Sequence, residues 1–240
     1  MIELVTWDTD HFNIRVDQYD IREGRHTFNL SLLRNEGILN DFDVIYIKSN
    51  KRIKELDDNG IFFDEKIVYT KDINLESFDM QSYDIGSDNQ VSIESYKNKE
   101  VSEDLIQLSI SSGAYSRYRL DKGFSSDCFR RLYIDWIINS VNEDIATDVL
   151  VAFTDNKPVG VLTYKNSNSI STIGIIAVDE LYREHHIGSK LMRSYFNSLP
   201  QSIIRLEVTT QGVNKIARNF YEKNGYKIGE IIYMYHLWIK

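Results

Sequence analysis

The 240-residue sequence is poor in cysteine, in basic residues and in long apolar runs, and each shortage excludes something. With Cys128 as its one cysteine, the chain forms no internal disulfide and assembles no thiolate metal cluster, a usage that suits a reducing compartment. Lysine and arginine total 28 against 36 acidic residues, a formal charge of −8. A duplex-binding protein or a polybasic membrane anchor carries the opposite sign, concentrated on one face. No stretch approaches the ~18 consecutive apolar residues of a membrane span, and the opening MIELVTWDTD lacks the basic start and apolar run of a secretory leader. A cytoplasmic location is therefore the expectation. What the chain does have is apolar mass. Hydrophobic residues make up 42% and aromatics 12%, enough to offset the ordering entropy of a packed core.

This length allows one large domain or two unequal ones. Residues 14–21, 44–49 and 62–73 read as strands, with helical patterns at 27–39 and 53–58 between them, a compact set resembling a βαβ unit. The stretch 74–90, NLESFDMQSYDIGSDNQ, is polar and follows neither period, which marks a boundary between a small α/β domain (1–80) and a second domain (81–240). The second part opens with a strand at 91–96 and a helix at 101–112. In the helix at 128–141, Phe129, Leu132, Tyr133, Trp136, Ile137 and Ser140 share one face. VLVAFTDNKPVGVLTYK then reads as a hairpin, with Asp155, Asn156 and Lys157 in the turn and Pro158 closing it. Strands at 171–178, 203–208 and 226–239 alternate with helices at 188–198 and 214–224, which predicts a mixed sheet with helices on its faces.

The most informative stretch is residues 173–196, where a strand runs through a polar loop into an amphipathic helix opened by Gly188. A helix start leaves backbone N–H groups unpaired and, with its dipole, attracts phosphate oxygens; the same pattern also serves as an ordinary tight turn. Downstream, Asn214, Ala217 and Tyr221 stand at i, i+3 and i+7 and project from one face of a helix that ends at Gly225. Tyr221 and its neighbour Phe220 also suit a plain aromatic core. The five histidines predict no metal site: His185 and His186 diverge as adjacent residues, and His11, His26 and His236 lack helical i, i+4 partners. No G-x-S-x-G elbow is present.

Arg183-Glu184-His185-His186-Ile187-Gly188 resembles the R/Q-x-x-G-x-G/A loop of the Gcn5-related N-acetyltransferase superfamily, and Asn214, Ala217, Tyr221, Gly225 and Tyr226 match its N-x-x-A-x-x-x-Y-x-x-x-G-F/Y signature. The resemblance implies that superfamily's fold, a mixed and mostly antiparallel sheet flanked by helices, with acyl-CoA as co-substrate, acetyl-CoA or one bearing a longer hydroxyacyl group. It also implies that Ile176, Ala177, Val178, Arg183, His186, Ile187, Gly188, Ser189, Asn214 and Ala217 hold the coenzyme. Backbone N–H groups around Ala177 and Val178 would steady the oxyanion, and Tyr221 is the general acid. One departure stands out. His186 occupies a glycine position, where a β-carbon narrows the approach to phosphate and disfavours positive φ but is tolerated by an ordinary helical backbone; phosphate contact would shift toward the Ile187, Gly188 and Ser189 amides. Asn214 is expected to position the coenzyme, with a helix cap as the other reading. Glu207 is either a base acting through water or, preferentially, a solvated strand residue.

Residues 4–12, 115–119 and 132–140 are similar to the dTDP-fucosamine acetyltransferase family, a narrower resemblance spanning nearly the whole chain. It implies a small amino-terminal domain, an amino sugar on a dTDP carrier as acceptor, acylated at C3 or C4, and a role in surface-polysaccharide sugar biosynthesis. Tyr115, Arg117, Tyr118 and Arg119 supply forked guanidinium groups for phosphate and rings for a pyrimidine, unless they form a surface loop of scattered charge. Trp7, Phe12 and Trp136 are read first as packing residues, with Trp7 and Asp8 facing substrate if two domains share a cleft. A homodimer is expected from the resemblance and from a long final strand free to pair across subunits. Two other readings remain open: the same fold acylating a different small amine, and a coenzyme-binding module without catalysis.

Overall fold

A computed structural model describes residues 2–22, 28–73 and 91–240, so the boundary expected at 74–90 and the helix start expected at Thr27 lie outside the described residues. In the amino-terminal segment the order is β1 (Ile2–Leu4), α1 (Thr6–Phe12), β2 (Val16–Asp20), α2 (Leu30–Leu39), β3 (Val44–Ser49), α3 (Lys54–Asp58) and β4 (Phe62–Asp72). Then come β5 (Ser92–Ser95), α4 (Glu103–Ser112), α5 (Arg117–Leu120), α6 (Ser126–Val141), β6 (Asp148–Thr154), β7 (Lys157–Ser167), β8 (Ile170–Val178), α7 (Ile187–Ser198), β9 (Arg205–Gln211), α8 (Lys215–Lys223) and β10 (Lys227–Trp238). Short polar side chains start several of the helices. Ser102, Ser125 and Asn214 each accept from a backbone N–H in the first turn of α4, α6 and α8. The β6–β7 hairpin turns on Asp155 and Asn156 alone, both at positive φ, as a two-residue turn requires. Lys157 and Pro158 already belong to β7.

All ten strands form one mixed, mostly antiparallel sheet in the order β1-β2-β3-β10-β4-β9-β8-β7-β6-β5, in which only β2–β3 and β8–β9 run parallel. β10 lies between β3 and β4, so the amino-terminal and carboxy-terminal strands are interleaved. With both edges occupied, this final strand has no free edge for pairing across subunits, contrary to the expectation. One face carries α2, α3, α7 and α8 over a core that includes Ile45, Tyr235, Ile67, Val208, Leu191 and Tyr195. The other carries α4, α5 and α6, packed over Val16, Tyr46, Val151, Val161 and Ile175. Asp121, between α5 and α6, ties β10 to this second layer: its Oδ2 lies 2.6 Å from His236 Nδ1 and accepts from Trp238 Nε1 at 2.9 Å. No helix among the described residues is long and apolar enough to cross a membrane.

A bulge in β8 sets the direction of that strand's second half. Between the pairs Tyr164↔Ile173 and Leu162↔Ile176, two residues of β8, Gly174 and Ile175, stand opposite Thr163 alone. The Ile175 N–H donates to the Thr163 hydroxyl at 3.0 Å. Parallel pairing between β8 and β9 ends at Ile173↔Val208, beside this bulge, although both strands continue. Thr163→Val removes the acceptor and strands a buried N–H. It is expected to lower unfolding free energy by about 1–3 kcal/mol in urea denaturation. An unchanged midpoint would mean that the bulge does not depend on this bond.

Candidate active site

Beyond Ile173 and Val208 the two strands separate into a wedge. β8 remains paired to β7 on its far side, and β9 to β4. Asp179 donates its N–H to Val159 O at 2.9 Å, so ladder alternation turns Ala177 toward β7 and leaves the N–H groups of Ile176 and Val178 pointing into the wedge. The donors expected around Ala177 and Val178 are therefore at Ile176 and Val178. The Ala177 N–H belongs to the sheet.

The loop after β8 delivers α7 to the mouth of this wedge. A single 3₁₀ turn (Glu180–Tyr182), capped by Asp179, leads through Arg183 to His186, the N-cap of α7. His186 takes the left-handed conformation with φ 56°, and Glu184 does so too with φ 69°. The loop thus keeps the shape that glycine favours, and the His186 β-carbon bears the steric cost. Lys190 N–H to His186 O, at 2.9 Å, is the first intrahelical bond, so the amides of Ile187, Gly188 and Ser189 precede the ladder, and His186 does not cap them with its side chain. These three amides are the unpaired donors of a helix start, which with the helix dipole attracts anions in general. Arg183 is exposed and pairs with Glu180 at 3.2 Å.

Gly188 is where three elements meet. A β-carbon there would stand 3.2 Å from the Phe220 ring of α8 and 3.9 Å from Val178 Cγ2 of β8. Asn214 caps α8, its Oδ1 accepting from Ala217 N–H at 3.1 Å. Only its amide nitrogen remains for a ligand. Ala217 and Phe220 pack on the same core as Tyr221, which is 3% exposed between Tyr69 and Tyr226. Burial pushes the Tyr221 phenol up from its ordinary pKa, so it keeps its proton at neutral pH. Glu207, on β9, is half-buried opposite Thr172 of β8 and Thr70 of β4.

The expected substrate residues are not one surface. Arg117 of α5 is sunk against the rings of Tyr46 and Tyr118, 5.1 and 4.6 Å from their centroids, and the Tyr118 hydroxyl donates to the buried Asp8 at 2.9 Å. Tyr115 and Arg119 are exposed, Arg119 lying over Phe129. Trp7 is 53% exposed and stacks on His11 at 4.6 Å, so it is no core residue, whereas Phe12 is buried and Trp136 half-buried beside the bulge, near Gly174. Next to Gly174 and Trp136, on the face of α6, lies an open cavity of about 390 Å³ whose walls include Thr163 and Thr172.

Two groups are not legible in the sequence as site residues. Asp64 and Lys66 stand on β4, on the face turned toward α5 and α6, and Lys66 pairs with Gln211 at the end of β9. The only signal is the charge at alternate positions of FFDEKIVYT, within a strand that reads as half-buried. Burial raises the Asp64 carboxyl to about 6, against the opposing pull of Arg117. Its native pKa lies above the unfolded value. The stabilising effect is therefore present at pH 4 and lost as the pH rises through 6. Asp64→Asn should accordingly stabilise the fold at pH 8 by about 1–3 kcal/mol and by much less at pH 4, as read by urea denaturation at both values. His186→Gly should add roughly 1 kcal/mol by relieving the left-handed backbone; a loss of stability would contradict the strain assigned to it.

Residues 146–228 match the model of an acetyltransferase (GNAT) domain, a span that holds the bulge, the wedge, α7 and α8. Comparison with curated proteins gives no match. Among solved structures, a conserved protein of unknown function from Staphylococcus epidermidis ATCC 12228 superposes with a TM-score of 0.64 at 13% identity, over 95% of this chain and 87% of that one. A GCN5-related N-acetyltransferase from Sphaerobacter thermophilus gives 0.59 at 10% identity, over 100% and 76%. A tandem GNAT protein from the clavulanic acid biosynthesis pathway gives 0.58 at 10% identity, over 94% and 75%. These likenesses are of fold, and they extend through the amino-terminal segment. Within residues 146–228 the chain is thus similar to a GNAT acetyltransferase domain.

Proposed function

We propose that this acetyltransferase domain passes an acyl group, acetyl in the simplest case, from acyl-CoA to the primary amine of a nucleotide-linked amino sugar, a dTDP-amino-dideoxyhexose. The observation that carries acyl transfer is the parting of β8 and β9 beyond Ile173, set beside the uncapped start of α7. What supports the acceptor is the sequence resemblance at the amino terminus, together with the cationic side chains of the α5-facing side of the sheet.

Acyl-CoA supplies an activated thioester. The Ile187, Gly188 and Ser189 amides hold its diphosphate, and the inward N–H group of Val178 offers a strand edge to the amides of its arm. The Ile176 N–H, farther from α7 and nearer the bulge, donates to the thioester oxygen as negative charge grows there, a contribution of roughly 3 kcal/mol per donor at such sites. Asp64, with a pKa near neutrality, receives the proton the amine loses as its nitrogen bonds to the acyl carbon. Tyr221, kept protonated by burial, gives its proton to the sulfur as the carbon–sulfur bond breaks.

Thiol release with acetyl-CoA and a panel of amines tests this reading. Release should require a dTDP-amino sugar and be absent with polyamines. Release with polyamines alone would replace the acceptor, and no release from any amine despite coenzyme binding would remove catalysis. Tyr221→Phe should lower kcat about 100-fold while coenzyme affinity stays within about twofold. Unchanged turnover would take the phenol out of the reaction.

A further inference from the structure

Across the middle of the sheet, on the face turned toward α5 and α6, three neighbouring strands bring ionisable groups together. β3 contributes Tyr46 and Lys48, β4 contributes Asp64 and Lys66, and β10 between them places Met234 opposite both Lys48 and Asp64. Lys66 shares this face because it is two residues from Asp64. Arg117 covers the group from α5, its guanidinium against the Tyr46 ring. Its Nη2 donates to the Tyr118 hydroxyl at 2.5 Å, while its Nε is buried with no hydrogen-bond partner. The Tyr46 hydroxyl is likewise buried, close to the Asp8 carboxylate.

Among the described residues no carboxylate makes a contact ion pair with Arg117, Lys48 or Lys66, although Asp8, Asp20 and Glu230 act on them at longer range. Arg22 is engaged by Asp20 at 2.7 Å and by Glu230 at 2.9 Å, and Asp8 accepts from Tyr118. Among the described residues, neither Lys48 nor Lys66 makes an ion pair, and burial holds the pKa of each below the lysine range. For Lys66, the charges of Arg117 and Lys48 push in the same direction. Three cations therefore face Asp64, a carboxyl that burial itself drives toward neutrality. Cations gathered out of water with an unused guanidinium edge are costly unless an anion joins them.

We propose that Arg117, Lys48 and Lys66 form an oxyanion-binding subsite, so that the amine acceptor carries a phosphoryl or carboxylate group that docks against Arg117 Nε between the two ammonium groups. The proposal rests on the acyl-transfer reading and names where its acceptor is held. Lys66 pairs with Gln211, the last residue of β9, so the subsite lies one strand away from the wedge mouth, on the side of the sheet opposite α7. An oxyanion there brings a nearby amine within reach of both Asp64 and the thioester.

Calorimetric titration of the coenzyme A-saturated protein with inorganic pyrophosphate and, separately, with succinate tests the subsite. Saturation with coenzyme occupies the α7 terminus, so added anion reports on the second site. One equivalent of at least one anion should bind, with affinity falling about 10-fold or more in Lys66→Gln and Arg117→Gln while coenzyme affinity stays within about twofold. Pyrophosphate alone supports a phosphorylated acceptor, and succinate alone a carboxylated one. Should Arg117→Gln fail to fold, Lys66→Gln decides. Neither anion binding, or binding undiminished in the variants, overturns the subsite. Failure of coenzyme A itself to bind overturns acyl transfer instead, and titrating the free Lys66→Gln protein against the parent still reads the subsite.

Discussion

One hydrogen bond, from the Ile175 amide to the Thr163 hydroxyl, lets a strand carry an extra residue, and the working geometry of the molecule descends from it. A regular β8 would continue its parallel ladder with β9 to the ends of both strands and close the sheet. The bulge re-aims β8 so that Ile176 and Val178 present their N–H groups to open space. The opening lies at the carboxyl ends of two parallel strands, where the connections to α7 and α8 also emerge. A strand edge and a helix start thus converge without either of them leaving its regular element. Gly188 permits the convergence, because a side chain there would press on Phe220.

The wedge stays open because its two banks are held from outside. β8 is backed by β7, whose Gly160 admits Ile187 and Leu191 of α7 at close range. β9 is backed by β4, which in turn is zipped to β10 over most of its length. The amino-terminal segment therefore buttresses the site as well as covering it. It also contributes Asp64 and Lys66, which give the face opposite α7 its charge. Local backbone strain at Glu184 and His186 is tolerated within this frame. The loop spans a fixed gap between β8 and α7, and its ends are set by core packing at Val178 and Ile187.

Strand and helix positions are largely legible, because the apolar periodicity of this chain is strong: β3 spans the expected residues, and α6, α7 and α8 match to within two. The short helix α1 is not, since seven residues containing Trp7, His11 and Phe12 show no clean period. In the site, the α7 loop and the Asn214–Tyr221 face are legible from local spacing. His186 takes a left-handed φ because the span the loop must cross dictates it, not the residue's own preference. The Asn214 cap is seen only in the structure, because a cap and a ligand-binding amide look identical in sequence. The basic cluster is not the patch it resembles because neighbouring residues on a short helix point in different directions: Arg117, half-buried, lies against Tyr46 and Tyr118, and Arg119, exposed, over Phe129.

By itself, the sequence determined the local features: which segments are helices or strands, where a helix start exposes unpaired amides, and that a phenol lies two turns into the following helix. Each is written within a dozen residues, where steric preference and hydrophobic period act. Tertiary structure alone decided that β10 enters between β3 and β4, that β8 parts from β9, and that Arg117, Lys48, Lys66 and Asp64 share one buried face. Those outcomes depend on pairings between residues up to about two hundred positions apart, and no local pattern encodes which of several compatible strands will supply the neighbouring edge.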